Sequence, residues 1–234
     1  MEDVSRPFSV DVRSVTKRYQ QGELEVLALQ GLSLTIQPGE FTAICGPSGS
    51  GKTTLLNLIG ALDKPTSGTV ILEGQELGTL SRRDLSQIRR DRIGFVFQSY
   101  NLIPVLSAFE NAEMVLRLQG VDPDERRARV MALLAEVGLE GLHDRKPHQL
   151  SGGQQQRVAI ARAIASDPAV VLADEPTANV DSETADRLLE IMDRLNRDRG
   201  VTFLFSTHDP RVLDRAKRVI RIVDGKIDED TAAA

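Results

Sequence analysis

The run Phe41-Thr-Ala-Ile-Cys45 leads without a break into Gly46-Pro47-Ser48-Gly49-Ser50-Gly51-Lys52-Thr53-Thr54, after which residues 53–62 carry apolar positions at helical spacing. A short continuous apolar run suits a strand covered on both faces. A glycine-rich turn from such a strand into a helix aims backbone N–H groups and the positive end of the helix at one point. The spacing G-x-x-x-x-G-K-[ST] in this setting reads as a phosphate cradle. Gly46, Pro47, Ser48, Gly49, Ser50 and Gly51 form its wall, Lys52 reaches the β and γ phosphates, Thr53 offers a hydroxyl to Mg²⁺, and Thr54 follows in the first helical turn. The alternative is a glycine-rich turn with no ligand.

A strand, a tight turn and a helix at this point commit the chain to an α/β fold. Residues 169–173 and 201–205 are two further continuous apolar runs, and helical patterns cover residues 81–91, 108–119, 123–137, 155–165 and 182–199. Residues 8–19 and 32–36 alternate apolar with polar, as strands of a half-exposed antiparallel sheet do. The expected architecture is a P-loop core, a mixed sheet with flanking helices, joined by N-terminal antiparallel strands and an inserted helical subdomain. The core is expected over 8–98 and 166–228, the helical subdomain over 99–165 and a polar, frayed tail over 229–234. Arg218-Val-Ile-Arg-Ile-Val223, Asp224-Gly225 and Lys226-Ile227 form a hairpin pattern.

Composition narrows the function classes. The 234 residues hold 29 basic and 34 acidic side chains, a net charge of −5, so no bulk positive field favours nucleic acid. No apolar stretch approaches the roughly 20 residues of a membrane span, and the N-terminus lacks a leader pattern. A soluble, cytoplasmic chain is expected. The single cysteine, Cys45, sits in an apolar run and is expected to be a buried strand thiol.

Val170-Val-Leu-Ala-Asp174-Glu175 is a buried-strand pattern ending in two acids. Asp174 is placed to hold Mg²⁺. Glu175, one residue beyond, is placed to orient and deprotonate an attacking water. The alternative is that Asp174-Glu175-Pro176 only ends a strand. No Asn-Lys-x-Asp string for reading guanine is present. Leu150-Ser151-Gly152-Gly153-Gln154 precedes another helical pattern, and its N-cap serine, two glycines and helix N-terminus make a second anion cradle. Spacing leaves open whether both cradles serve one nucleotide or the second serves a neighbour's.

With Leu150-Ser-Gly-Gly-Gln-Gln-Gln-Arg157 lying between the first cradle and Asp174-Glu175, the chain resembles the nucleotide-binding subunits of ATP-binding-cassette (ABC) transporters over residues 8–227. The resemblance implies an Mg²⁺-dependent ATP hydrolase working as a head-to-tail homodimer, with Ser151, Gly152, Gly153 and Gln154 of one subunit closing over ATP on the other's P-loop. It implies that Tyr19 stacks on adenine, Gln98 reaches Mg²⁺ and the water, Asp181 crosses to the opposite P-loop and His208 bonds the γ-phosphate. Read from the residues alone, Tyr19 is also a strand aromatic packed on the core, Gln98 a turn residue, and Asp181 the N-cap of the following helix. Phrases such as Phe95-Val-Phe-Gln98-Ser-Tyr-Asn-Leu-Ile-Pro104 resemble the branch with lipoprotein-releasing, macrolide-exporting and cell-division ATPases. That branch implies a separate integral-membrane permease, docking near 98–109, and a peripheral place on the inner membrane face. A regulatory ATPase without cargo, and a soluble cassette ATPase, stay open as alternatives. Tyr100, Leu102, Ile103, Val105 and Leu106 form an apolar cluster that either meets the permease or fills the helical core.

Overall fold

Strong local signals start most of the elements. The computed structural model describes residues 8–22 and 24–231. In chain order these form β1 Val10–Gln21, β2 Leu24–Ile36, β3 Phe41–Cys45, α1 Lys52–Ile59, β4 Ser67–Leu72, β5 Gln75–Glu76, α2 Arg82–Arg92 and β6 Ile93–Phe97. There follow α3 Ala108–Leu118, α4 Pro123–Glu136, α5 Gly152–Ile164, β7 Val170–Asp174, α6 Ser182–Arg199, β8 Phe203–Ser206, α7 Pro210–Arg215, β9 Arg218–Val223 and β10 Lys226–Asp230. The starts of α2 to α7 are capped by side chains, whereas α1 opens on Gly51 without one. Ser107 and Glu110 close a reciprocal capping box on α3, Asp122 precedes Pro123 on α4, and Ser151 and Gln154 box the start of α5.

The six-stranded sheet has the order β10-β9-β3-β8-β7-β6, parallel from β9 to β6, with β10 antiparallel on the edge. Its register sets Asp174 opposite both Ser206 and Phe97, and Cys45 opposite Arg221. The C-terminal ends of β3, β8, β7 and β6 therefore finish side by side, at the edge where open α/β sheets hold ligands. A second, antiparallel sheet has the order β2-β1-β4-β5.

Side-chain alternation splits the core in two. On β3, Phe41 and Ala43 face a cluster shared with α3, α4, α5 and α6, whereas Ile44 faces one shared with α1 and the antiparallel sheet. Phe41, Phe203 and Phe205 are fully buried, with ring centroids 4.7–5.7 Å apart. Each such side chain contributes about 1.5–3 kcal/mol by leaving water.

Several expectations need correction. α1 stops at Ile59, not at 62, because Gly60 lies against the Phe95 ring and Ala61 turns left-handed at φ 54°. α5 begins at Gly152 rather than 155. β2 starts at Leu24, eight residues before the alternating pattern at Leu32, and its first part leaves Leu24, Val26 and Leu27 exposed. β4 and α7 carried no recognised signal. The tail is ordered further than expected, since β10 runs to Asp230, whose carboxylate accepts from Arg218 Nε and Nη2 at 2.9 and 2.7 Å. Cys45 is only half-buried, at the mouth of the strand, and burial pushes its thiol pKa up. Ala232, Ala233 and Ala234 of the expected tail lie outside the described residues. Among the described residues no helix is long and apolar enough to cross a membrane.

Candidate nucleotide-binding site

A cleft of about 620 Å³ opens where the parallel strands end, with the first cradle as its floor. Glycine is obligatory at two points of that cradle. At Gly46 (φ 145°) a Cβ would lie 2.0 Å from the Ile222 carbonyl oxygen, and at Gly51 (φ 103°) 2.5 Å from that of Ala28. Neither backbone neighbour can step aside cheaply, so a side chain at either position would force the loop out of its curve. Lys52 lies across the loop, its Nζ donating to the carbonyls of Gly46 at 2.8 Å and Pro47 at 3.0 Å.

Gln98, Asp174, Glu175, Ser206 and His208 line the same cleft from the ends of β6, β7 and β8. Thr53 Oγ1 donates to Asp174 Oδ2 at 3.4 Å, which pairs a helix-start hydroxyl with a strand-end carboxylate. These are hard oxygen donors, few in number, as suits Mg²⁺ shared with phosphates rather than caged by protein. The cradle that a Cβ would fill and the orphaned, buried Ser206 and Ser50 hydroxyls fit a polyanion with its cation and waters.

Glu175 is held from three sides. Its backbone, left-handed at φ 46°, donates its N–H to the Ser206 carbonyl at 2.9 Å. Oε2 accepts from the Thr207 hydroxyl at 3.1 Å, and Oε1 lies 2.6 Å from His208 Nδ1. The next turn is anchored by Asp209, which accepts from Thr177 Oγ1 at 2.7 Å and pairs with Arg211. The Arg211 guanidinium is the largest influence holding the Asp209 pKa down at about 2.

The other expected residues are elsewhere. Tyr19 is half-buried on β1, paired across the sheet with Val26, which lines the cleft. Its hydroxyl donates to Asp63 at 2.9 Å while the Lys17 ammonium sits 4.8 Å over the ring; burial first, then Asp63, raise its pKa. Asp181 caps α6 through the Thr184 N–H at 2.9 Å and hydroxyl at 2.6 Å, bonds that lower its pKa. The capping alternative thus holds in the single chain. Ser151, Gly152, Gly153 and Gln154 do not line the cleft. Gly152 faces Tyr100 and Gly153 faces Thr184.

Sequence reasoning missed the residues that tie these parts together. Gln156, fully buried, donates from Nε2 to the Pro176 carbonyl at 2.6 Å and the Phe97 carbonyl at 3.4 Å. Asn179 Nδ2 donates to the Gln98 carbonyl at 3.0 Å and its Oδ1 accepts from Gln98 Nε2 at 3.4 Å. Their nearest sequence signal is position: each sits within a few residues of a motif.

A glycine cradle with a lysine, a strand-end Asp-Glu pair and a facing His–Glu contact define a P-loop nucleotide hydrolase site. A sequence model of the ABC transporter family matches residues 29–178. An uncharacterized ABC transporter ATP-binding protein of Thermotoga maritima is 48% identical, over 94% of this chain and 93% of its own length. The macrolide export ATP-binding/permease protein MacB of Syntrophobacter fumaroxidans is 46% identical over 96% of this chain, which spans only 32% of that protein. The dimeric structure of the ATP-binding cassette MJ0796 of Methanocaldococcus jannaschii bound to ADP and Pi superposes with a TM-score of 0.86 at 45% identity, covering 94% and 97% of the two chains. The chain belongs to the ABC transporter family, as an ATP-binding and ATP-hydrolysing cassette.

Proposed function

We propose that this cassette is the motor of a membrane exporter, working as a homodimer beneath an integral-membrane permease and driving release of a lipoprotein, lipid or other hydrophobic cargo. The observation that carries the dimer is the division of the two cradles. The P-loop cleft holds Lys52, Thr53, Gln98, Asp174, Glu175 and His208, yet Ser151, Gly152 and Gly153 do not line it in the same chain. A second copy, turned head to tail, supplies them. Export is supported by the macrolide-export names of relatives 46–48% identical to the chain.

In this reading Tyr19 stacks on the base, and the amides of the loop with Lys52 bind the β and γ phosphates. Thr53, Asp174 and Gln98 hold Mg²⁺, which when bound offsets charge on the phosphate oxygens. Glu175 takes a proton from water as the water oxygen bonds to the γ-phosphorus and the β,γ bridging bond breaks. His208, through its hydrogen bond to Glu175, orients the carboxylate and reaches toward the γ-phosphate. From the partner, Ser151 and the α5 N-terminus close the phosphate shell and Asp181 approaches the P-loop. The dimer is tested by ATPase rate per subunit against protein concentration. A rise that saturates as dimer forms is expected; a flat rate in a monomeric protein overturns the claim.

In this reading the permease docks near residues 98–109. Within that segment Leu102 and Phe109 pack on the helical core, while Ile103 and Val105 are exposed, Val105 at 71%. Beside them a groove lined by Phe95, Phe97, Val115, Arg89 and Arg162 measures about 240 Å³. Val105→Glu and Ile103→Glu, which leave the core intact, should abolish co-purification with the permease. An intact complex would remove this surface from the docking site.

A further inference from the structure

Gln98 leads into a loop whose shape its own sequence does not favour. Tyr100 and Asn101 both adopt left-handed backbone, with φ 60° and 50°, a region that Asn tolerates better than most L side chains but that a Tyr rarely enters. Glycine would sit there without strain. Instead one side chain from α5 grips the backbone: Arg162 donates from Nη2 to the Tyr100 carbonyl at 2.9 Å and from Nη1 to the Asn101 carbonyl at 2.6 Å. Arg162 is half-buried, and burial lowers its guanidinium pKa. A cation placed in this way satisfies carbonyls at real cost, and its planar fork gives each of the two its own N–H donor in a fixed geometry. The other supports bond elsewhere: Asn179 exchanges two bonds with Gln98, and buried Asn111 takes the Ile103 N–H at 2.8 Å and donates to its carbonyl at 3.2 Å. Tyr100 N–H reaches the Phe97 carbonyl at 3.2 Å, Asn101 N–H the Ser99 carbonyl at 2.6 Å, and Tyr100 OH the Asn179 carbonyl at 3.1 Å.

We propose that Arg162 is a positioning residue for the hydrolytic site: its fork on the carbonyls of Tyr100 and Asn101 holds the loop in the left-handed form that keeps Gln98 on the cleft. The proposal rests on the reading of Gln98 as a site residue. Because α5 starts at the Ser151 cradle, the same helix carries one phosphate cradle at its first turn and fixes the metal-side glutamine at its last. Arg162 also lines the 240 Å³ groove, so whatever enters that groove meets the guanidinium directly.

The test uses the full chain, with Arg162→Lys and Arg162→Gln made in the native and Gln98→Ala backgrounds, so that whichever variant folds carries it. In native background kcat should fall about fivefold or more while KM for ATP stays within about twofold, since a lysine keeps charge but loses the fork. In the Gln98→Ala background the same change should cost less than about 1.5-fold, because the two act through one element. Hydrogen exchange supplies a readout independent of turnover: the amides of Tyr100 and Asn101 should exchange about tenfold faster, while that of Ile103, held by Asn111 Oδ1 at 2.8 Å, and those of β3 and β7 stay unchanged. Equal losses in both backgrounds, or unchanged exchange at 100–101, overturn the proposal. If Gln98→Ala alone keeps full turnover, the reading of Gln98 fails by itself, and exchange alone then decides whether Arg162 holds the loop.

Discussion

Two glycine-rich turns in this chain open helices and aim amides at an anion, yet only one of them has a site around it. The Gly46-to-Thr53 turn follows β3, the strand next to β8 in the parallel sheet, so its neighbours are the ends of β8, β7 and β6 with Ser206, Asp174 and Gln98. The Ser151 turn follows a short 3-10 turn, Pro147–Gln149, outside the sheet, and is bordered by Tyr100, Asn179 and Thr184. It has no lysine of its own motif and no carboxylate pair. The lesson is that a helix N-terminus supplies only a partial charge. Chemistry requires the side chains that strand order brings to it.

Breaking the completed site should give the largest effects. Glu175→Gln keeps the shape of the carboxylate but removes the proton acceptor, so turnover should drop by about 10²–10⁴-fold while ATP binding and a nucleotide-trapped dimer persist. Steady-state ATPase assays with size-exclusion chromatography check this, and retained turnover would displace Glu175 from its role. Gly46→Ala comes next. A methyl 2.0 Å from the Ile222 carbonyl oxygen forces the loop or β9 to shift, and a loss of stability of about 1–3 kcal/mol with at least tenfold weaker ATP binding is expected. Thermal unfolding and nucleotide titration would show it.

The second cradle should respond differently, and the contrast is the sharper test. Ser151→Ala removes the N-cap of α5, lowering stability by about 0.5–2 kcal/mol, but should leave monomeric ATP binding unchanged while turnover falls. Weakened binding in the isolated monomer would mean that both cradles act in one chain. Mixing a Ser151→Ala chain with a Glu175→Gln chain should restore up to about a quarter of native turnover, because one mixed dimer site is then intact; no recovery counts against division of the site between subunits.

The smallest effect concerns the anchor behind Glu175. The folded-state pKa of Asp209 is held at about 2, below its ordinary carboxylate value, by Arg211, Thr177 and the Arg211 N–H. A depressed pKa means that its contribution to stability is present above about pH 4 and is lost as pH falls toward 2. After screening, that contribution is on the order of 1 kcal/mol, and Asp209→Asn should flatten the acid limb of a stability-versus-pH curve by that amount.

The legible parts of the fold were those where local chemistry and burial agree. β3, β7 and β8 are apolar throughout because both faces are covered, and α3, α4 and α5 begin at side-chain caps. The first half of β2 was hidden because Leu24, Val26 and Leu27 point outward, so alternation carried no inside-out signal. The start of β10 was legible in the hairpin pattern, but its end was hidden because its order comes from Arg218, which ties Asp230 to Glu40 and the Thr35 carbonyl across long sequence separations.

By itself the sequence determined the two cradles, the acids at the end of β7 and the strand–helix alternation, since these depend on residues adjacent in the chain. Only the tertiary structure decided that β8 lies between β3 and β7, which brings Ser206, Thr207 and His208 to Glu175, and that Arg162 reaches Tyr100 and Asn101. The physical reason is the same in each case. Strand order and helix packing are set by burial summed over the whole chain, and the contacts they create join residues about 30 to 120 positions apart, a distance no local pattern encodes.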